Sequence, residues 1–358
     1  MTTDEKFMSR CIELAQRGLG HTYPNPLVGS VIVHEGKIIG EGYHQKYGGP
    51  HAEVNAVNSV ENQELLKEST IYVTLEPCAH FGKTPPCADL IIEKQIPKVV
   101  VGIVDPFAQV CGEGINKMRE KGIEVTVDVL EEECTDLNKR FLWNVKTDLP
   151  YIILKWAETK DGFMDRDRDS NEQKINWISS PSTKAITHTW RREEAGILVG
   201  INTLLNDDPM LTVREVVGLN PARIIVDSKL KMKSEKLKIK EAEGQNLVYN
   251  QLESFTEGNT EYIQLKDFSL KAILLDLKQR NISSILVEGG AYTLNQFIQE
   301  NLWNEARVYQ SNNVEFGSGL AAPTLPQEFI ESRITLEKED LILFVNTTPG
   351  LLDYRSKT

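Results

Sequence analysis

The sequence predicts two consecutive α/β domains, on the basis of the chain length and two series of alternating strands and helices. The chain has 358 residues, and a single hydrophobic core rarely grows beyond about 250–300 residues. Short β-branched runs alternate with helical patterns on both sides of residues 146–150, where Pro150 interrupts the chain. Such alternation favours helices packed on a largely parallel sheet. We therefore expect one domain over residues 1–148 and a second over residues 149–358.

The first domain is predicted to open with a helix and a hairpin. Apolar residues at helical spacing predict a helix over 4–18, and β-branched runs predict hairpin strands at 27–33 and 37–42. The following elements are predicted as helices at 52–60, 88–95 and 114–121 and strands at 70–74, 98–104 and 124–129. This order predicts a three-layer α/β/α sandwich.

The second domain repeats the alternation of strands and helices. Strands are predicted at 151–156, 196–200, 222–227, 246–250 and 284–288, and helices at 181–194, 269–280 and 291–301. Residues 229–241 contain six lysines, and we interpret them as a solvated loop or an exposed hairpin rather than a nucleic-acid patch.

Composition excludes several classes of protein. The net charge of -12 disfavours a nucleic-acid partner, which would select a basic surface. No apolar run reaches the ~18 residues of a membrane span, and the acidic N-terminus lacks the apolar segment of a signal peptide. The five cysteines are an odd number in a long chain, which favours reduced thiols over a disulfide scaffold. We therefore expect a cytoplasmic protein.

The strongest chemical signal combines His51, Cys78 and Cys87 with Glu53. One imidazole and two thiolates suit zinc and leave a fourth position for water, as in catalytic sites. Zinc lowers the pKa of that water toward ~7 and so makes it a nucleophile. Glu53 follows the histidine by two residues and can move protons without binding the metal. This arrangement is typical of zinc-dependent nucleobase deaminases.

The gap between the two cysteines is longer than usual for a deaminase. Eight residues separate Cys78 from Cys87, where a two-residue gap is common. The insertion carries His80 and Lys83, two candidate groups for an anion. The alternative is a zinc-free pair of buried cysteines near a surface histidine.

With these motifs in place, the first half of the chain resembles the deaminase part of the bifunctional riboflavin-biosynthesis deaminase/reductases. The resemblance is carried by HTYPNPLVGSVIV, GEGYH, GGPHAEVNAV and LEPCAHFGKTPPC. It implies a cytidine-deaminase-like fold and a phosphorylated pyrimidine substrate held by Asn25, His44, His80 and Lys83. Asp105 matches the family's Asp-Pro-Asn segment and is grouped with them, although Phe107 stands where the family has Asn.

The second domain shows less chemistry by itself. A Gly289-Gly290 pair lies between a predicted strand and a predicted helix, where backbone N–H groups can meet a phosphate. The resemblance continues through KWAETKDG, ARIIVDS and VEGGAYTL and implies a dihydrofolate-reductase-like fold. It implies that NADPH is held by Ala157, Trp177, Thr203, Asp207, Ser228, Gly290, Ala291, Tyr292, Thr293, Leu294, Asn295 and Gln296. It also implies that the substrate is held by Arg191, Leu211, Arg214 and Glu288, while the family's serine before the tryptophan is Ile175 here.

The resemblance implies two successive reactions on one small molecule. The first is zinc-dependent deamination of 2,5-diamino-6-ribosylamino-4(3H)-pyrimidinone 5′-phosphate, and the second is NADPH-dependent reduction of its ribosyl group to a ribityl chain. We also expect a homo-oligomer, either a dimer or a tetramer. Three alternatives stay open: a nucleoside or tRNA deaminase with a nucleotide-sensing second domain, a non-enzymatic module with a four-ligand zinc site, and loss of one of the two activities.

Overall fold

The computed structural model describes residues 1–80, 85–105, 112–167 and 176–348. Contacts divide the chain into two units, Met1–Lys146 and Thr147–Thr358, and each has its own hydrophobic core. None of the helices in the described residues combines the length and the apolar character that a bilayer span requires.

The first unit is built on a sheet whose described strands have the order β2-β1-β3-β4-β5. The hairpin strands β1 and β2 are antiparallel, β1 is also antiparallel to β3, and β3, β4 and β5 run parallel. The strands are β1 (Gly29–His34), β2 (Lys37–Tyr43), β3 (Thr70–Leu75), β4 (Lys98–Ile103) and β5 (Glu124–Thr126). The helices are α1 (Thr3–Gln16), α2 (Ala52–Ser59), α3 (Cys87–Glu93), α4 (Glu113–Glu120), α5 (Glu131–Leu137) and α6 (Lys139–Lys146).

Helices cover both faces of this sheet. On one face, α1 packs on β3, where the rings of Phe7 and Tyr72 lie 5.2 Å apart and the Tyr72 hydroxyl donates to Asp4 over 2.7 Å. On the other face, strand residues such as Ile71 share a fully buried core with α2 and α3, which contribute Val57 and Ile91. The predicted α/β/α sandwich is therefore confirmed.

A close contact fixes α2 against the hairpin. A Cβ atom on Gly42 of β2 would overlap the backbone of Ala52 and Ala56, so only glycine lets the strand and the helix approach this closely. The start of α2, which carries His51 and Glu53, is thereby fixed relative to the sheet.

The second unit is built on a long mixed sheet. Its described strands have the order β11-β12-β10-β9-β8-β13-β6-β14-β17-β16, with parallel pairing from β12 through β14 and antiparallel strands at both edges. The strands of this sheet are β6 (Tyr151–Glu158), β8 (Gly196–Gly200), β9 (Ala222–Val226), β10 (Asn246–Asn250), β11 (Phe255–Glu257), β12 (Thr260–Gln264), β13 (Ser284–Val287), β14 (Glu305–Ser311), β16 (Ile330–Thr335) and β17 (Glu339–Val345). The strands β7 (Phe163–Asp165) and β15 (Leu320–Ala321) pair with each other in a separate antiparallel sheet. The helices are α7 (Pro181–Glu193), α8 (Ile201–Asp207), α9 (Lys238–Glu241), α10 (Leu270–Gln279) and α11 (Ala291–Gln299).

Apolar side chains fill both faces of the central strands. One cluster joins β6, β13 and β14 to α10 and α11, and includes Leu274 and Phe297. A second cluster joins β8 and β9 to the segment after β9, and includes Met232 and Ile239. Strands that are buried on both faces suit a parallel α/β sheet, so the predicted α/β class of the second domain is also confirmed.

The interpretation of residues 229–241 as a solvated loop or hairpin was wrong. These residues form a 3-10 helix at Lys231–Ser234 and the short helix α9. Their apolar residues alternate with the lysines and are buried in the second cluster, which anchors the segment to the unit. The many lysines suggested a solvated segment, but the apolar residues between them are buried, and charge alone does not indicate this.

Candidate active sites

The predicted metal ligands lie at the starts of two helices and the end of one strand. His51 is the N-cap of α2, Glu53 lies in the first turn of that helix, and Cys87 is the first residue of α3. Cys78 follows β3, and its carbonyl oxygen accepts a hydrogen bond from the N–H of Ala88 over 3.1 Å. The backbone N–H of Cys87 also donates to the Cys78 sulfur over 3.3 Å. The loop that carries Cys78 is thus tied to the helix that carries Cys87.

The three ligand atoms form a compact group. The His51 Nδ1 atom lies 3.6 Å from the Cys78 sulfur and 3.3 Å from the Cys87 sulfur, and the three atoms all lie within 4.8 Å of one another. One imidazole and two sulfur atoms at this separation fit zinc. Among the described residues this group contains three ligands, which fits an open catalytic site better than a closed structural one.

The predicted ligand Cys78 and the neighbouring Glu53 both have shifted pKa values. Hydrogen bonding with Cys87 lowers the pKa of the Cys78 thiol, which favours the thiolate that a metal needs. Burial, and after it the nearby Cys78 thiolate, raise the pKa of Glu53 to about 7. Glu53 is only 3% exposed, so its carboxyl group is shielded from bulk water.

A pocket of about 360 Å³ opens beside the metal ligands. It brings together the predicted residues Asn25, His44, His51, Glu53, Cys78, His80 and Asp105. Lys83 and Phe107 lie outside the described residues, so their predicted roles stay predictions.

Hydrogen bonds orient His44 and Asn25 at the wall of this pocket. The Nδ1 atom of His44 lies 3.0 Å from the carbonyl oxygen of Pro50, and its Nε2 atom lies 3.1 Å from the Asn25 side-chain nitrogen. A carbonyl only accepts, so Nδ1 carries the proton and Nε2 accepts from the Asn25 amide. This leaves the Asn25 side-chain carbonyl oxygen as an acceptor for an N–H of a ligand's ring. Burial lowers the pKa of His44, which favours this neutral form.

Several residues of the pocket were not predicted from the sequence. Phe141 and Val145 of α6 line it, and their only signal was an aromatic patch in a polar segment. Glu76 also lines it, and its carboxylate accepts backbone N–H groups from Asp105, Gly112, Gly114 and Ile115 over 2.9–3.3 Å. Glu76 thereby joins the end of β4 to the start of α4.

The second unit contains a buried cluster of charged residues where β13 ends. The Arg191 Nε and Nη2 atoms donate to the two carboxylate oxygens of Glu288 over 2.7 and 2.8 Å. Burial opposes ionisation of Glu288, but Arg191 and Lys155 together lower its pKa to about 2. Burial lowers the pKa of Lys155 in turn. The cluster therefore holds the Glu288 carboxylate between the cations Arg191 and Lys155. Lys155 was not predicted from the sequence as a member of this site.

The predicted substrate residues Leu211 and Arg214 lie on a segment that α7 holds in place. The Arg191 Nη1 atom donates to the carbonyl oxygen of Thr212 over 3.3 Å, and the N–H of Arg214 donates to His188 Nδ1 over 3.1 Å. Leu211 is 3% exposed and anchors the segment, while the Arg214 side chain is 41% exposed. The structure thus brings Arg191 and Glu288 into contact and leaves the Arg214 side chain open to solvent.

A second pocket, of about 450 Å³, lies where β8, β9 and β13 end. Six of the predicted cofactor residues line it, namely Thr203, Ser228, Gly290, Tyr292, Thr293 and Gln296. The pocket also contains the first residues of α8 and α10 and the N-cap Gly290 of α11. Helix N-termini present N–H groups and a positive dipole end, and a Cβ on Gly200 would lie 2.7 Å from the Thr293 hydroxyl. This cradle fits the phosphates of a dinucleotide.

The other predicted cofactor residues do not line that pocket. Ala157 lies on β6 opposite Tyr309 of β14, Trp177 is 64% exposed, and Asp207 is the last residue of α8. Ala291 and Leu294 are residues of α11 whose side chains are buried, and Asn295 lies on the same helix. The substitution Ile175 lies outside the described residues.

Comparisons with known proteins agree with this two-site architecture. Residues 1–103 match the family model of the cytidine and deoxycytidylate deaminase zinc-binding region, and residues 150–338 match that of the RibD C-terminal domain. The riboflavin biosynthesis protein RibD of Aquifex aeolicus is 40% identical over 354 residues, which cover 95% of this chain and 98% of that protein. The chain belongs to the RibD family.

Further RibD proteins show the same match over nearly the full length. RibD of Escherichia coli is 35% identical over 90% of this chain and 91% of its own. The crystal structure of the diaminohydroxyphosphoribosylaminopyrimidine deaminase/5-amino-6-(5-phosphoribosylamino)uracil reductase of Thermotoga maritima superposes with a TM-score of 0.87 at 38% identity, covering 96% of this chain and 98% of that one. An Acinetobacter baumannii RibD structure gives a TM-score of 0.85 at 32% identity, covering 97% and 99%.

Membership of the RibD family confirms the predicted activities. The chain is a bifunctional riboflavin-biosynthesis enzyme with a zinc-dependent deaminase and an NADPH-dependent reductase. The alternative of a nucleoside or tRNA deaminase with a nucleotide-sensing domain is disfavoured, because both family models match in order along the chain.

Proposed function

We propose that the first unit deaminates a diaminopyrimidine carrying a phosphorylated ribose and that the second unit reduces the ribosyl group of the product. The Thermotoga maritima protein, 38% identical, carries the name of these two activities. The observation that carries the proposal is a single pocket that combines a three-ligand metal group with Glu53 and the Asn25–His44 pair.

The deaminase step requires one water, one proton carrier and a fixed pyrimidine ring. Zinc, when bound by His51, Cys78 and Cys87, supplies an activated water at the amino-bearing carbon. Glu53 takes a proton from this water and delivers it to the departing amino nitrogen, which leaves as ammonia. Glu53 lies in the first turn of α2, two residues after His51, so the helix holds the proton carrier in a fixed position relative to this ligand.

Substrate binding in this pocket divides into ring recognition and anion recognition. The Asn25 carbonyl oxygen accepts from the ring, and His44 fixes the orientation of the Asn25 amide. His80 and Lys83 bind the ribose phosphate, and Asp105 is a further substrate contact. Glu76 and the side chains of α6 shape the pocket without reacting.

The reductase step depends on alignment of the ribosyl carbon with the cofactor. NADPH supplies the hydride. Of the twelve residues that the family resemblance names, the six that line the second pocket are proposed to hold it. Arg214 binds the substrate phosphate, because its guanidinium is the more exposed of the two predicted arginines. Glu288, Arg191 and Leu211 complete the substrate side.

The test supplies the diaminopyrimidine ribotide and follows ammonia release and NADPH oxidation together. The Glu53→Gln variant should lose ammonia release, retain zinc and still reduce separately supplied deaminated pyrimidine. A matched control is Glu61→Gln, which changes an exposed carboxylate near the other end of the same helix and should keep both activities. Undiminished ammonia release by Glu53→Gln would contradict the proposed proton carrier.

We also propose that the enzyme acts as a homo-oligomer in the cytoplasm. The described cysteines Cys11, Cys78, Cys87 and Cys134 are all free thiols, which suits a reducing compartment. Sedimentation of the purified protein and fractionation of cells test these two statements separately.

A further inference from the structure

The far end of the cofactor pocket is formed by the chain that follows β9. The strand ends at Val226, and the carbonyl oxygen and side chain of Asp227 accept from the N–H groups of Leu230 and Met232 over 3.1 and 2.8 Å. This turn buries Leu230 and Met232 in the core. The intervening Lys229 and the following Lys231 therefore face outward, and both line the pocket.

Two other lysines of this segment have their charge compensated, whereas Lys229 and Lys231 do not. Lys233 pairs with Glu253 at 2.7 Å, and Lys238 pairs with Asp208 at 3.2 Å. Neither Lys229 nor Lys231 has an ion-pair partner within the described part of the chain. The pocket rim at this point therefore carries two lysines without an ion-pair partner, and the Asp227 carboxylate beside them is buried and accepts from the N–H of Met232.

The start of α10, which also lines this pocket, is suited to an anion as well. Ser269 caps the ten-residue helix α10, and its hydroxyl accepts from the N–H of Ala272 over 3.2 Å. Ser269 and Leu270 line the same pocket as the lysines, so the N-terminus of α10 borders the same space. A helix N-terminus and two lysines together favour a dianionic group.

The strand order fixes which end of a dinucleotide lies here. Glu288 and Lys155, which mark the substrate side, lie at β13 and β6, whereas Lys229 and Lys231 follow β9. The order β9-β8-β13 puts about 10 Å of sheet between the two ends, at about 4.8 Å per strand. The nicotinamide must approach the substrate at β13, so the adenosine end extends toward β9.

We propose that Lys229 and Lys231 bind the 2′-phosphate of the NADPH adenosine and so select NADPH over NADH. This inference rests on the proposed placement of the cofactor in this pocket. The 2′-phosphate is the group by which the two cofactors differ, and it falls at the end where the uncompensated lysines and the start of α10 converge. Ser228, between the strand and the lysines, contributes a hydroxyl donor.

The test measures binding rather than turnover. The full-length protein and the variants Lys229→Gln, Lys231→Gln and the double variant are titrated calorimetrically with NADP+, NAD+ and adenosine 2′,5′-bisphosphate. Each single variant should lose about tenfold in affinity for the 2′-phosphorylated ligands, as expected for one charge-assisted hydrogen bond, and should keep its affinity for NAD+. The wild-type affinity for NADP+ should fall with added salt more steeply than that of the double variant.

Controls separate this inference from the placement of the cofactor. Lys236→Gln changes an exposed lysine of the same segment that does not line the pocket, and it should change no affinity. Gly290→Asp puts a negative charge at the start of α11 and should abolish binding of both dinucleotides. Full binding by Gly290→Asp would overturn the placement itself. If the placement holds and the double variant keeps its preference for NADP+, or loses NAD+ equally, the assignment of the lysines is overturned.

Discussion

The guanidinium of Arg191 faces the carboxylate of Glu288 edge to edge, through two hydrogen bonds of 2.7 and 2.8 Å. Both side chains are about one-tenth exposed. The side of Arg191 that would suit a phosphate is thus already used by a carboxylate, and its remaining Nη1 atom donates to Thr212. Arg191 therefore positions the segment of Arg214, and the more exposed Arg214 is the arginine that we propose as the substrate contact.

Removing one member of the Arg191–Glu288 pair should destabilise the second unit. Arg191→Met leaves the Glu288 carboxylate buried without its counter-charge, and the expected loss in unfolding free energy is about 3–5 kcal/mol. Arg191→Met combined with Glu288→Leu should recover much of this loss. Denaturant titration of the single and double variants measures the coupling, and a double variant as unstable as Arg191→Met would contradict the explanation.

Arg214→Gln should impair the reductase through substrate binding. Loss of one charge-assisted contact to a phosphate is expected to raise KM for the deaminated ribotide about tenfold or more. The value of kcat and the affinity for NADP+ should stay close to those of the wild type. Arg192→Gln on the neighbouring helix is the matched control, since its guanidinium donates to the carbonyl oxygen of Val217 instead. Equal KM values for Arg214→Gln and the wild type would refute the assignment.

His188 should make the stability of the second unit depend on pH. Burial and the nearby Arg191 and Arg214 lower its pKa to about 4 from an ordinary 6.5. The folded state thus favours the neutral ring, so its contribution is complete above pH 6.5 and is lost as the pH falls toward 4. Between pH 7 and pH 5 the wild type should lose about 2 kcal/mol of unfolding free energy from this group.

The variant His188→Asn tests this dependence. Asparagine keeps an acceptor for the N–H of Arg214 but does not titrate, so the stability of the variant should vary less between pH 7 and pH 5. His21→Asn, at an exposed histidine of the first unit, should behave as the wild type. Parallel curves for His188→Asn and the wild type would show that another group titrates.

Glu76→Gln should weaken the deaminase pocket without removing zinc. The substitution puts an amide NH2 among backbone N–H donors, and leaving buried donors unsatisfied costs about 1–3 kcal/mol. We expect a higher KM for the diaminopyrimidine ribotide and a normal zinc content. Glu113→Gln alters an exposed carboxylate in the first turn of α4 and should leave KM unchanged. Loss of zinc from Glu76→Gln would point to a wider structural role.

Chelation of zinc should separate the two activities. A chelator is expected to stop ammonia release and to leave reduction of separately supplied deaminated pyrimidine unchanged, because the three ligands all belong to the first unit. Cys87→Ser should give the same pattern with a reduced zinc content. Loss of the reductase reaction on chelation would show a dependence on metal that the site geometry does not predict.

The sequence predicted the elements whose periodicity is simple. The helix α1 and the strands β3, β4 and β8 were located to within about two residues because their apolar residues are contiguous or evenly spaced. The strand β14 was missed because Glu305 and Arg307 interrupt its apolar pattern. Both are buried, and they pair with each other at 3.2 Å, a compensation that only the folded sheet reveals.

The predictability of the sites follows the same rule. His51, Glu53, Cys78 and Cys87 were found because their spacing is local and their chemistry is specific. Phe141, Glu76 and Lys229 were not found, because their proximity to a pocket depends on the packing of elements far apart in the chain. Asn138 is one example of such long-range packing. It lies between α5 and α6, and its side chain makes two hydrogen bonds with the backbone of Leu27, which is 111 residues away in the sequence.

The division of labour in the deaminase pocket has a consequence for redesign. The proposed proton carrier Glu53 and the proposed ligand His51 lie at the start of α2, whereas Phe141 and Val145 reach the pocket from α6. The reactive groups and the walls that define substrate shape are thus carried on separate elements. We therefore expect substitutions on α6 to change which amino-substituted ring the pocket accepts without altering the catalytic residues.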